Sequence, residues 1–117
     1  MNKMEYRINA KIIKQLSLFL MLHGVKQFSL DYQLFDEKVE FSLELDTQKK
    51  ELIDRMKEKI GKHREIEVET YGWELMGDTD SQTELDILGL LIDRIDIQEV
   101  NHHYEITLTR LHQTKVG

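Results

Sequence analysis

Between residues 26 and 46, apolar and polar positions alternate in two runs. Phe28, Leu30, Tyr32 and Leu34 share one parity, then Val39, Phe41, Leu43 and Leu45 share another. Alternation of period two is the mark of a half-buried strand. With Asp36-Glu37 at the turn, Leu34 faces Val39, Tyr32 faces Phe41, Leu30 faces Leu43 and Phe28 faces Leu45. A one-residue slip would lose every one of these apolar pairs, so the pattern fixes the register. Asp-Glu is not a favoured type I′ dipeptide, and a four-residue loop in the same register is also open. A second alternating stretch, 94–111, closes around Asn101-His102. It sets Ile97 opposite Ile106, Ile95 opposite Leu108 and Glu99 opposite Tyr104.

Between and before the hairpins the apolar period lengthens to that of a helix. Ile12, Ile13, Leu16, Phe19 and Leu20 make one stripe, with Asn9 placed to cap its start and Gly24 to end it. Leu18, Met21 and Leu22 widen the stripe beyond what a surface helix needs. The excess fits two buried sides, one against the core and one against a second copy of the chain. A second helix is predicted from about Thr47 to Gly61, with Leu52, Ile53, Met56 and Ile60 inward. Ser81 and Glu84 have capping-box spacing before a helix that carries Leu85, Leu88, Gly89 and Ile92 on one face.

The stretch VETYGWELMGD, residues 68–78, holds the single tryptophan. As a strand it breaks phase after Thr70. As a helix, Val68, Tyr71, Gly72, Leu75 and Met76 fall on one face, Glu67, Glu74 and Asp78 point outward, and Gly77 supplies the stop. The helical reading puts Trp73 at the edge of the buried stripe. The predicted order is α-β-β-α-α-α-β-β over one domain, 1–117. The expected fold is α+β, a four-stranded antiparallel sheet from two hairpins with helices packed on one face. How the two hairpins pair is not legible.

Composition changes this picture little, and charge changes it more. At 117 residues and 40% hydrophobic, the chain can bury a core without metal or disulfide. The absence of cysteine excludes a disulfide scaffold, thiol chemistry and thiolate-bound zinc, and fits a cytoplasmic location. A net charge of −6 argues against nucleic-acid binding driven by phosphate attraction. The charge is uneven: 49–64 holds seven Lys/Arg against three acids, whereas 65–105 holds twelve acids against Arg94 alone. KIIKQLSLFLMLHG loosely resembles a targeting segment, but the apolar run is far below the roughly 20 residues needed to span a bilayer. A buried helix is expected there, and no membrane partner.

Catalytic and metal signatures are missing from the linear sequence. His102-His103 has no third ligand at a fixed spacing, and neighbouring residues tend to point apart, so it reads as a turn. GDTDSQTE puts Thr83 and Gly89 where a calcium loop needs Gly and Glu. GWELMG has phosphate-loop glycine spacing but Asp78 in place of the lysine. No cofactor and no metal are expected.

Residues 65–110, through VETYGWELMGD, TDSQTEL, DILGLLIDRIDI and the closing LTRL, resemble a small family of uncharacterised bacterial proteins. Trp73, Leu75, Gly77, Gly89 and Asp93 match its pattern, while Gly72 stands where a second aromatic is usual and a preceding proline is missing. Some members are labelled sensory-transduction histidine kinases. The chain has no phosphoacceptor-helix motif and no D-x-G-x-G loop, so the resemblance implies a fold and no activity.

These features together predict a non-catalytic module that binds another protein, with Trp73, Glu67, Glu74, Asp78 and Asp80 as its contact region. Leu18, Met21 and Leu22 form the face for a homodimer. The alternatives are a small-ligand module responding to a nucleotide or a metal, and an enzyme whose residues converge only in three dimensions.

Overall fold

The computed structural model describes residues 3–60 and 84–112. Helix α1 spans Lys3–Leu22, strand β1 Phe28–Leu34, strand β2 Lys38–Asp46 and helix α2 Lys50–Lys59. Helix α3 spans Glu84–Leu91, strand β3 Arg94–Val100 and strand β4 His103–Leu111. The strands form one antiparallel sheet in the order β1-β2-β4-β3. The α+β class and the four-stranded antiparallel sheet are therefore as the pattern predicts. The helix expected at 68–76 falls outside the described residues, and with it Glu67, Trp73, Glu74, Asp78 and Asp80.

Both hairpin registers follow the apolar pairing: Tyr32 lies opposite Phe41 and Leu30 opposite Leu43, then Ile97 opposite Ile106 and Ile95 opposite Leu108. Their turns differ. Asn101 and His102 have φ of 50° and 68°, the left-handed pair that a two-residue type I′ turn requires. In the first hairpin, neither Asp36 nor Glu37 has a positive φ. There Phe35 N–H donates to the Lys38 carbonyl at 2.8 Å across the loop, which matches the four-residue alternative. The hairpins join through their second strands, with Phe41 opposite Leu108, Leu43 opposite Ile106 and Leu45 opposite Tyr104.

One face of the sheet meets the helices. Val39, Phe41, Leu43 and Leu45 of β2 and Tyr104, Ile106 and Leu108 of β4 are all buried. Ile8, Ile12, Leu16, Phe19 and Leu20 of α1, Leu52, Ile53 and Met56 of α2, and Leu85, Leu88 and Leu91 of α3 complete the core. Helix α3 packs against both α1 and α2. The α2–α3 approach needs Gly89, because a Cβ there would fall against the Lys59 carbonyl oxygen at the end of α2.

Two boundaries differ from the sequence expectation, and a third follows it. Asn9 does not cap α1. The helix begins at Lys3, and Asn9 lies buried within it, its Nδ2 donating to the Tyr32 hydroxyl at 3.4 Å. Residues 3–7 carry no apolar period, so their helicity comes from tertiary contacts rather than from a pattern. Helix α2 starts at Lys50 instead of Thr47, whose Oγ1 accepts the Lys49 N–H at 3.0 Å and turns the chain before the helix. At the end of α1, Gly24 does adopt the expected left-handed conformation, φ 79°. Its N–H donates to the Met21 carbonyl and that of Val25 to the Leu20 carbonyl, the paired bonds of a Schellman stop.

The end of β4 is braced by a buried cation. Arg110 is 1% exposed, on the core face beyond Leu108. Its guanidinium donates to both oxygens of Glu5 at 3.3 and 2.8 Å and to the Leu91 carbonyl at 2.9 Å. One side chain thus ties the first turn of α1 and the last turn of α3 to the sheet. A cation at the carbonyl end of α3 also suits the helix dipole.

Candidate functional site

Two outward surfaces bear the side chains that chemistry or binding could use. The first is the sheet face opposite the helices. The pleat sends alternate residues there, and the register sets them in rows. Asp31, Ser42, Thr107 and Asp96 form one row across the four strands, and Ser29, Glu44, Glu105 and Gln98 form the next. Asp46 and His103 stand opposite each other one row further on. A shallow groove of about 420 Å³ runs over Ser29, Asp31, Ser42, Glu44, Glu105 and Thr107. The face is acidic, with Glu40 also on it, and Lys38, Arg94 and His103 are its basic residues.

Within it, His103 Nδ1 lies 2.8 Å from Asp46 Oδ1, and Nε2 lies 3.9 Å from Glu44 Oε1. The Asp46 hydrogen bond raises the His103 pKa above its usual value against an opposing effect of burial, and the charges of Asp46, Glu44 and Glu105 add to the rise. Behind the sheet, burial holds the Tyr104 hydroxyl pKa above its ordinary value. That hydroxyl donates to Glu99 at 3.1 Å, which adds to the effect.

The second surface is the outer side of α1. At 100° per residue, Lys3, Met4, Arg7, Lys11, Lys14, Leu18, Met21 and Leu22 fall within an arc of roughly 100°. Its last turn is apolar and open: Leu18 is 37% exposed, Met21 63% and Leu22 64%. The side chains singled out in sequence as excess to the core therefore do face outward together.

Sequence reasoning missed the grouping of Glu44, Asp46, His103 and Glu105. Each pair is visible on its own strand as an i, i+2 repeat. Only the β2–β4 pairing brings them together, and no local pattern announces it. No family profile, curated protein or solved structure matches the chain. Among the described residues, no helix is long and apolar enough to cross a membrane.

Proposed function

We propose that this protein is a small, non-catalytic, cytoplasmic binding module that holds another protein against the outer stripe of α1. The observation that carries the reading is the exposed Leu18, Met21 and Leu22 cluster, on a helix whose opposite side closes the core. Contiguous exposed apolar side chains rimmed by charge are what contact surfaces present. Lys14 and Lys11 adjoin the cluster, and Arg7 and Lys3 continue the stripe toward the start of α1, so the fitting partner is an acidic amphipathic segment. A second copy docked stripe to stripe would meet it with like charges, which favours the acidic partner. The region around Trp73, Glu67, Glu74, Asp78 and Asp80, being acidic, enters the same proposal as a separate contact for a basic part of the partner.

The test compares capture from lysate by the wild type and two surface variants. One is Leu18→Ala/Met21→Ala/Leu22→Ala, the other Lys11→Glu/Lys14→Glu. A specific protein lost by both, and weakened between 0.15 and about 0.5 M salt, supports the reading. Capture that neither variant disturbs overturns it. Light scattering at twice the 14.0 kDa chain mass, abolished by the triple alanine variant, would replace the acidic partner with a homodimer.

A further inference from the structure

Among the described residues, one group brings three metal-type donors together. One ligand atom from each of Glu44, His103 and Glu105 lies within 4.8 Å of the others. We propose that these three side chains form a divalent-cation site of the zinc class, with Asp46 as the residue that positions His103.

Three independent features point the same way. The first is the donor set, which mixes one imidazole nitrogen with two carboxylates. Zinc accepts that mixture, whereas magnesium and calcium prefer oxygen alone. The second is the tautomer. Asp46 Oδ1 at 2.8 Å from Nδ1 draws the ring proton of neutral His103 to that nitrogen. The Nε2 lone pair is then left on the side of Glu44, 3.9 Å away. A carboxylate behind a histidine, fixing ring orientation and basicity, is the usual support of a metal-bound imidazole.

The third is the register, which fixes Glu44 directly opposite Glu105 at the centre of the sheet. Like charges facing each other across strands destabilise a sheet, and nothing in core packing requires acids at these outward positions. A cation between them turns the repulsion into attraction.

The distances suit a small ion. Tetrahedral ligands at zinc–ligand lengths of about 2.0–2.1 Å stand roughly 3.3–3.4 Å apart. With His103 held by Asp46, rotation of the exposed Glu44 and Glu105 side chains toward Nε2 closes the remaining gap. Three protein ligands leave the fourth position to water or to an atom of a partner.

The experiment is calorimetric titration of the chelator-stripped full chain with zinc chloride, repeated with magnesium and calcium chloride. The expected result is saturable binding of one zinc per chain, with no comparable binding of the other two ions. His103→Ala and Glu105→Gln each weaken it at least tenfold. Asp46→Asn, which removes no ligand, weakens it by roughly 10–100-fold. His102→Ala, at the neighbouring turn, leaves it unchanged. Both ligand positions lie on the surface, so both variants should still melt cooperatively in chelator, and either carries the test if the other fails to fold. Absence of saturable binding overturns the proposal. So does zinc binding that survives both His103→Ala and Glu105→Gln, or calcium binding as tight as zinc.

Discussion

At the scale of single residues, Arg110 shows how a charge can be kept in a core. A guanidinium with almost no access to water is tolerable only when its donors are met, and here Glu5 takes two of its bonds and Leu91 another. Removing the carboxylate takes the opposite charge away from a buried cation. Glu5→Ala should therefore cost about 2–4 kcal/mol, toward the lower end of the buried-pair range because the Glu5 side chain is 20% exposed. Replacing both partners, as Glu5→Leu/Arg110→Met, should recover most of that loss in urea unfolding. A double variant as unstable as Glu5→Ala would mean that the other bonds of Arg110, that to Leu91 among them, carry the stability instead. His103 offers a second residue-scale test. Its pKa is raised chiefly by the Asp46 hydrogen bond, with Asp46, Glu44 and Glu105 as the facing charges. A raised folded-state value means a stabilisation fully present below about pH 6.5 and lost as pH climbs through the folded pKa. In chelator, the ring signals of His103 should titrate above 6.5 in NMR, and Asp46→Asn should bring them down. No change in Asp46→Asn would sink the attribution.

At the scale of elements, what was legible follows from how each element is specified. Hairpins are written by alternation plus a turn, so both registers could be read residue by residue. The start of α1 could not. Residues 3–7 are helical because Glu5 finds Arg110 and Ile8 finds the core, contacts more distant than any window along the chain. Helix α3 was legible even to its glycine, since Gly89 falls on the apolar face with Leu85, Leu88 and Ile92. The reason it must be glycine is visible only in the packed pair, where the Lys59 carbonyl occupies the space a methyl would take. Backbone, unlike a flexible side-chain end, cannot move aside cheaply. Gly89→Ala should then destabilise by about 1–3 kcal/mol despite its better helix propensity. A thermal melt unchanged or raised by the substitution would show that α2 can shift to make room.

At the scale of the whole molecule, the decisive feature is the seam between β2 and β4. Each hairpin offers two edges, and the four apolar residues on the inner face of β1 made it as good a central strand as β2. Only β3, with Ile95 and Ile97 followed by Glu99, is marked in sequence as an edge. The seam joins residues about sixty positions apart, such as Leu43 and Ile106, and it also assembles the Glu44–His103–Glu105 group. The candidate cation site therefore stayed hidden for the same reason as the strand order.

Closing so long a loop costs entropy that only the completed sheet and core repay, so the hairpins should not open one at a time. Native-state hydrogen exchange tests this directly. The amides of Phe41, Leu43, Ile106 and Leu108 should share the slowest rates, near the global unfolding free energy, while the outward amides of β1 and β3 exchange faster. If instead β1–β2 amides exchange together at a lower free energy than β3–β4, the two hairpins are separate cooperative units. The seam would then be a joint able to open in the native state, and the cation site would open with it.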